Sequence, residues 1–236
     1  MTNIAANINR VRERLAIAAR AAGRDPAAIT LLAVSKTQAA ASIRAAHGEG
    51  LGDFGENYLQ EALDKMALLQ DLTEIRWHFI GPIQSNKTRA IAEHFAWVHG
   101  IDRLKIAERL SQQRPTALPP LNVCIQVNID GEASKSGVAP AALPALADAV
   151  AALPGLRLRG LMAIPAPRVD TAAQRAPFFR LAQQLATLST RLPGLDTLSM
   201  GMSDDLEAAI AEGSTLVRIG TAIFGPRPKN PLENNL

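Results

Sequence analysis

Residues 31–37, LLAVSKT, place a short apolar run directly before a lysine. An apolar run of this length between helical segments is typical of a buried strand in a parallel sheet. Lys36 then lies where the strand leaves the sheet. Because lysine is rarely buried without a partner, its amine must reach solvent, a carboxylate or a ligand. A desolvated lysine amine can act as a nucleophile, whereas a solvated lysine at a strand end is the simpler interpretation of this residue alone.

The rest of the chain repeats this alternation of strand and helix. The predicted strands are residues 31–35, 51–57, 76–81, 96–102, 121–129, 156–164, 195–200 and 214–220. The predicted helices between them are about 39–49, 58–69, 87–94, 103–113, 140–153, one running through 178–192, and 201–213. Apolar residues at helical spacing also predict an additional N-terminal helix over 3–22. Eight strand–helix units in 236 residues predict one α/β domain over 1–236, a (β/α)8 TIM barrel with a flexible tail at 227–236.

The competing fold is an open doubly wound sheet. That fold usually carries a glycine-rich turn directly after its first strand. Here Lys36, Thr37 and Gln38 follow the strand, and the next glycine is Gly48. The closed barrel is therefore favoured.

The composition excludes several classes of function. Net charge is only +3 and aromatic residues make up 4%, without a basic run, so nucleic-acid binding is not expected. No segment is long and apolar enough to cross a membrane, and the N-terminus lacks the apolar core of a signal peptide. Cys124 cannot form an intramolecular disulfide as the single cysteine, and its apolar surroundings predict a core position. The histidines lack metal-ligand spacing. We expect a cytoplasmic protein.

Reactive groups in such barrels collect at the carboxyl ends of the strands. The sequence places these residues there: Lys36, Asn57, His78, Gly81, His99, Asp102, Asn128, Met162, Met200, Ser203, Arg218, Gly220 and Thr221. Each alone is more often a turn or cap residue. Their predicted meeting at one mouth is the stronger signal.

Two motifs near the C-terminus fit a phosphate site. In GMSDDLEAA, Ser203 is expected to cap a helix, and its hydroxyl could also bind an anion. In VRIGTAIFG, Gly220 allows a close backbone approach and Thr221 supplies a hydroxyl. Barrels often bind phosphate between the loops after strands seven and eight, which is where these motifs lie.

Arg218 stands in an otherwise apolar strand and needs a partner. A buried salt bridge is one interpretation. The other follows from Lys36 and the phosphate site, which together suggest pyridoxal 5′-phosphate (PLP), with the arginine facing the pyridine nitrogen. An arginine stays protonated and would leave that nitrogen unprotonated, which makes the ring a poor electron sink.

The ordered motifs resemble one family. They are LLAVSKT, FGENYLQEALDK, RWHFIGPIQSNK, IDRL, VNIDGEASKSG, LRGLMAIPAP, DTLSMGMSDDLEAAI and VRIGTAIFG. From about residue 4 to Pro226 the chain is similar to the PLP homeostasis proteins of the YggS/PROSC type, whose barrel is that of the N-terminal domain of alanine racemases. Two small departures, Gln38-Ala39 in place of an early proline and Ile83 in place of leucine, leave the proposed site untouched.

The resemblance implies a role for each predicted site residue. Lys36 would form the internal aldimine with PLP. The phosphate would be held by Ser203, Gly220 and Thr221, and the pyridine nitrogen would meet Arg218. Asn57 would be a neighbour of the ring. Met162 and Met200 either line the ring or belong to the core, and Lys135 is either a residue near the mouth or a solvated loop lysine.

The resemblance also implies a function in intracellular PLP (vitamin B6) and amino-acid homeostasis. Racemases of the related fold use a second acid/base tyrosine from an additional domain, whereas the single tyrosine here, Tyr58, begins the second predicted helix. We therefore expect an open mouth, PLP binding without turnover, apo PLP-dependent enzymes as partners, and a monomer. The alternatives are a racemase-like PLP enzyme and a barrel aldolase that uses Lys36 without a cofactor.

Overall fold

The computed structural model describes residues 3–132 and 135–226 and shows a closed barrel of parallel strands. The strands are β1 (Thr30–Val34), β2 (Asp53–Glu56), β3 (Arg76–Phe79), β4 (Trp97–Ile101), β5 (Leu121–Gln126), β6 (Leu156–Met162), β7 (Thr197–Ser199) and β8 (Leu216–Ile219). Each strand pairs with the next, and β1 pairs with β8 to close the ring. The predicted (β/α)8 barrel is confirmed and the open sheet is excluded. The predicted tail at 227–236 lies outside the described residues.

Helices surround the barrel. They are α1 (Ile4–Ala21), α2 (Ala40–Gly48), α3 (Leu59–Leu68), α4 (Thr88–His94), α5 (Leu104–Gln113), α6 (Leu143–Ala151), α7 (Thr171–Ser189), α8 (Leu206–Ala211) and α9 (Thr221–Phe224). The predicted extra helix is α1, which begins where the Asn3 side chain accepts a hydrogen bond from the Ala6 backbone N–H at 2.9 Å. Its apolar face packs into the core through Ile8, Val11 and Leu15, as the spacing predicts.

The predicted start of α7 is wrong. The sequence places a helix through 178–192, but α7 begins at Thr171. The Asp170 side chain accepts a hydrogen bond from the Ala173 backbone N–H at 2.7 Å and so satisfies one of the free donors at the helix start. Pro177 lies inside α7. The helix therefore begins before this proline and continues past it.

Close packing of the strands depends on glycine at one point in particular. A Cβ atom on Gly160 of β6 would lie 1.8 Å from the backbone oxygen of Thr197 in β7, so the two strands could not approach this closely around a side chain. Cys124 of β5 is fully buried, which confirms its predicted core position. In the described part of the chain, every helix is too short or too polar to cross a bilayer.

Candidate functional site

A cavity of about 640 Å³ opens at the carboxyl ends of the strands. Six residues predicted for the site line it, namely Lys36, Asn57, Ser203, Arg218, Gly220 and Thr221. Met200, which was also predicted there, is fully buried in the hydrophobic core and is not among the lining residues, and Met162 is equally buried. The closure of the barrel thus brings together residues from both ends of the chain.

The pairing of β1 with β8 sets the positions of Lys36 and Arg218. Leu32 is the register partner of Arg218, and the half-buried Lys36 follows β1 by two residues. A Cβ atom on Gly220 would lie 3.3 Å from the Val34 backbone oxygen, so glycine lets the end of β8 pack closely beside β1. The two basic side chains therefore line the same cavity from adjacent strands.

A buried ion pair lies behind Lys36. Lys65 of α3 is 5% exposed, and its Nζ donates to the Ser35 backbone oxygen at 2.7 Å and to Glu56 Oε1 at 2.8 Å. The Ser35 hydroxyl donates to the same Glu56 oxygen at 2.6 Å. Burial raises the pKa of the Glu56 carboxyl, and the hydrogen bonds from Lys65 and Ser35 oppose that rise. The residue that precedes Lys36 is therefore tied to α3 by both its backbone and its side chain.

The residue that follows Lys36 is held by the same cluster. Thr37 has a φ of +65°, in the left-handed region that non-glycine residues rarely adopt. Its backbone N–H donates to Glu61, and Glu61 also accepts a hydrogen bond from Lys65. Strain of this kind persists where surrounding contacts fix the backbone. We call Ser35, Glu56, Glu61 and Lys65 the Lys65 cluster; it fixes the chain on both sides of Lys36.

Arg218 is 4% exposed, and its partners are neutral. Its guanidinium donates to the Ser199 backbone oxygen at 2.6 Å, to Ser199 Oγ at 2.9 Å and to the Ala163 backbone oxygen at 2.9 Å. Among the described residues no carboxylate forms an ion pair with it, so the salt bridge considered from the sequence is not found. Burial lowers the pKa of Arg218 to about 10, which leaves it charged at neutral pH. The cavity therefore contains a buried cation that contacts no anion within residues 3–132 and 135–226.

Asn57 offers an unused acceptor in the same cavity. Its Oδ1 atom is buried and has no hydrogen-bond partner among the described residues. A Cβ atom on Gly81 would lie 2.6 Å from the Asn57 backbone oxygen, so the chain after β3 packs against Asn57 at a distance that only glycine allows. A buried polar atom without a partner is destabilising unless a ligand or water satisfies it.

Ser203 lines the cavity but does not cap a helix. The helix α8 begins at Leu206, and the turn before it is held by Asp205, whose carboxylate accepts a hydrogen bond from the Met202 backbone N–H at 2.6 Å. The predicted capping role of Ser203 is therefore wrong, because Asp205 already occupies that position. Ser203 and Thr221 instead line the cavity together, and each carries a hydroxyl group.

Arg14 was not predicted as a site residue, although it lines the same cavity. It extends from α1, donates to the Ser203 backbone oxygen at 3.0 Å, and forms a two-point ion pair with Glu207 at 2.9 and 3.0 Å. From the sequence alone, Arg14 cannot be told apart from the other solvated residues on the polar face of an amphipathic helix. Its position depends on a contact with residues 189 positions later, for which the sequence has no local signal.

Lys135 lies at the rim of the cavity. Its Nζ donates to the backbone oxygen of Ile164 at 3.3 Å, and Ile164 lines the cavity. Of the two interpretations left open by the sequence, this contact fits a residue near the mouth. Two strand residues expected there, His78 and His99, instead lie fully buried inside the barrel and do not line this cavity.

Comparison with known proteins identifies the family. The family model described as "Alanine racemase, N-terminal domain" matches residues 2–228. A pyridoxal phosphate homeostasis protein of Pseudomonas aeruginosa is 69% identical over 227 residues, which cover 96% of this chain and 97% of the relative. The chain is a member of the alanine racemase N-terminal domain family, among the pyridoxal phosphate homeostasis proteins.

Other members of this family agree in length and fold. The pyridoxal phosphate homeostasis protein of Escherichia coli K12 is 58% identical over 229 residues, covering 96% of this chain and 98% of the relative. PipY of Synechococcus elongatus has been solved without PLP, at 38% identity and a TM-score of 0.85, and with PLP bound, at 37% identity and a TM-score of 0.83. Both PipY comparisons cover 94% of this chain and 100% of PipY.

Proposed function

We propose that this protein binds PLP in the cavity at the carboxyl ends of the strands, holds it covalently through Lys36, and takes part in PLP and amino-acid homeostasis without catalytic turnover. The observation that carries the proposal is the meeting of Lys36 with the buried cation Arg218 in one cavity. The names of the relatives and the PLP bound to PipY support it.

Two features of the cavity fit PLP. Asn57 lines it, and the buried amide oxygen of this residue has no hydrogen-bond partner in the described part of the chain, which suits a polar ligand beside it. The cavity also contains the guanidinium of Arg218, whose contacts with Ser199 and Ala163 use three of its five N–H hydrogens and do not neutralise its charge. A ring nitrogen with a free lone pair is the acceptor that such a cation suits.

PLP supplies an aldehyde that condenses with amines and a ring that can accept electrons. Lys36 would supply the amine that holds the aldehyde of PLP. Because the Lys65 cluster fixes Ser35 and Thr37, the direction in which Lys36 enters the cavity is set before any ligand arrives. Arg218 would hold the ring nitrogen unprotonated.

The part of the cavity lined by Ser203, Gly220 and Thr221 suits the phosphate. The hydroxyls of Ser203 and Thr221 can donate to phosphate oxygens, and Gly220 adds no side chain to this part of the cavity. Arg14 adds a positive charge, which Glu207 shares. Contact of Met200 with the ring remains a prediction.

Homeostasis without turnover is supported by the groups that surround Lys36. A racemase needs an acid and a base on opposite faces of its substrate. Tyr58 is 56% exposed, precedes α3 and is not among the residues that line the cavity. Asp204 does line it, and this carboxylate is the observation that favours the alternative, a racemase-like enzyme. The apo-enzyme partners, the monomeric state and the cytoplasmic location remain predictions.

Borohydride reduction after incubation with PLP tests the covalent site. Peptide mapping should place one pyridoxyl group on Lys36, and Lys36→Ala should lose it while its circular dichroism spectrum stays unchanged. Lys135→Ala is the matched control, because that amine lies at the rim of the same cavity. An adduct on Lys135, or none in the unmodified protein, would contradict the proposal.

Two measurements separate the alternatives. Visible absorbance of the purified protein with PLP distinguishes a PLP protein from an aldolase that uses Lys36 alone. Exchange of the α-proton of L- and D-alanine in deuterated water distinguishes a carrier from a racemase-like enzyme. We expect exchange no faster than with free PLP. Faster exchange that is lost in Lys36→Ala, and in Asp204→Asn, would establish turnover instead.

A further inference from the structure

A line of polar side chains runs through the barrel behind Arg218. The Arg218 guanidinium contacts Ser199 Oγ at 2.9 Å, and Ser199 Oγ lies 2.7 Å from His99 Nδ1. His99 Nε2 lies 3.0 Å from His78 Nδ1, and His78 Nε2 lies 2.9 Å from Asp53 Oδ1. These residues come from β8, β7, β4, β3 and β2, and each is less than a tenth exposed. We call them the interior chain.

The far end of the interior chain is a carboxylate at the opposite mouth of the barrel. Asp53 begins β2, and Arg76 donates to both of its oxygens at 2.7 and 2.6 Å. Burial alone would raise the pKa of Asp53, but the hydrogen bonds from Arg76 and His78 hold it well below its ordinary value. Asp53 is therefore an acceptor at neutral pH, and His78 Nε2 must carry the proton that this contact uses.

The directions of the remaining hydrogen bonds follow one from another. Burial lowers the pKa of both His78 and His99, so each ring is neutral, with one donor and one acceptor nitrogen. His78 Nδ1 then accepts from His99 Nε2, and His99 Nδ1 accepts from the Ser199 hydroxyl. Ser199 Oγ is left as the acceptor for Arg218, which can only donate. Every proton in the interior chain thus points from Arg218 toward Asp53.

This uniform direction gives the interior chain a consequence at the cavity. The hydroxyl proton of Ser199 is committed to His99, so its lone pairs face the Arg218 guanidinium. If His99 could not accept, the hydroxyl could rotate and weaken that contact. The fixed guanidinium is the group that would meet the ring nitrogen of PLP.

We propose that Ser199, His99, His78 and Asp53 are positioning residues that hold the Arg218 guanidinium in the cavity through one directional chain of hydrogen bonds. The proposal rests on the proposed function for its effect on PLP. Its geometric part concerns the protein alone and can be tested without the cofactor.

The first test reads the tautomers directly. Long-range ¹H–¹⁵N correlation spectra of the cofactor-free protein at pH 7 should show His78 and His99 as neutral rings with the proton on Nε2. An Nδ1-protonated or charged form of either ring would overturn the proposal. This result does not depend on whether PLP binds, so it separates a failure of the interior chain from a failure of the proposed function.

The second test uses two substitutions of His99, whose side-chain amides reach the positions of different ring nitrogens. In His99→Asn the amide oxygen can occupy the position of Nδ1 and still accept from Ser199. In His99→Gln the amide reaches the position of Nε2 and loses the Ser199 contact. We expect His99→Gln to speed PLP release about tenfold, the effect of one hydrogen bond to a charged group, and His99→Asn to have a much smaller effect. His94→Gln, which removes an exposed imidazole outside the interior chain, is the control.

The possible results for the two His99 variants have different meanings. Faster release in His99→Gln than in His99→Asn, with both variants folded by circular dichroism, supports a positioning role. Equal loss in both variants would indicate only a packing role for the ring, and unchanged release in both would show that Arg218 does not need the interior chain; either result overturns the proposal. Should His99→Gln fail to fold, the tautomer spectra of the unmodified protein still decide.

Discussion

Lys65→Met should destabilise the protein severely, because it leaves a buried carboxylate without its cation. Methionine keeps the length of the apolar stem and removes Nζ, which donates to Ser35, Glu56 and Glu61. Glu56 is fully buried and would keep the Ser35 hydroxyl as its remaining donor. Removal of one partner of a buried ion pair costs about 3–5 kcal/mol, and we expect a loss in this range.

The loss should depend on pH in a defined direction. Without Lys65, the carboxyl of Glu56 can avoid buried charge by binding a proton, so its pKa in the folded variant rises further above the unfolded value. Such a group contributes its full stability below the unfolded pKa and loses it as pH rises through the folded pKa. The unmodified protein should therefore exceed Lys65→Met in free energy of unfolding by a larger amount at pH 8 than at pH 5.

Urea unfolding, followed by circular dichroism at both pH values, measures these differences. The double variant Lys65→Met/Glu56→Gln should recover most of the loss, because it removes the buried charge as well as its partner. Exposed Lys105 on α5 offers a matched control, for which Lys105→Met should change stability by less than about 0.5 kcal/mol. A loss in Lys65→Met below about 1 kcal/mol, or one independent of pH, would refute the reasoning from the buried ion pair.

Three further predictions concern the site and the core. Ser203→Ala and Thr221→Val should each weaken PLP retention by about 1–3 kcal/mol in equilibrium dialysis, because each would remove one of the proposed hydrogen bonds to the phosphate; unchanged affinity in both would place the phosphate elsewhere. Gly160→Ala should lower the free energy of unfolding by at least about 2 kcal/mol, because its methyl would collide with the Thr197 oxygen, and a smaller loss in urea unfolding would mean that the strands can separate without penalty. Burial raises the pKa of Cys124 to about 12, so the thiol should react with a disulfide reagent at pH 8 only as fast as the protein unfolds, and rapid labelling of the native protein would contradict this.

The sequence was sufficient for the barrel and for most of the cavity, for a physical reason. Parallel strands that are buried on both faces appear as apolar runs, and closure of the barrel brings their carboxyl ends together whatever the details of each turn. Lys36, Arg218 and Thr221 could therefore be assigned to one mouth without coordinates. Met200 shows the limit of that argument, since a position at a strand end does not tell whether the side chain lines the mouth or packs in the core.

Contacts distant along the chain could not be predicted. Arg14 reaches the cavity only because α1 packs beside α8, and Ser203 lost its expected capping role to Asp205 two residues later. His78 and His99 were expected at the mouth because they lie near strand ends. Their shared position inside the barrel depends on the relative register of strands, which hydrophobic pattern alone leaves open.

The pairing of the first strand with the last has a consequence for biosynthesis. Leu32 meets Arg218 only when β8 has been made and docked, and Arg14 waits for a partner 189 residues further along the chain. A growing polypeptide on the ribosome would carry Lys36 for most of its synthesis without the other half of its cavity. Vitamin capture should accordingly wait until β8 has docked, and a chain that is truncated before β8 should not retain the cofactor.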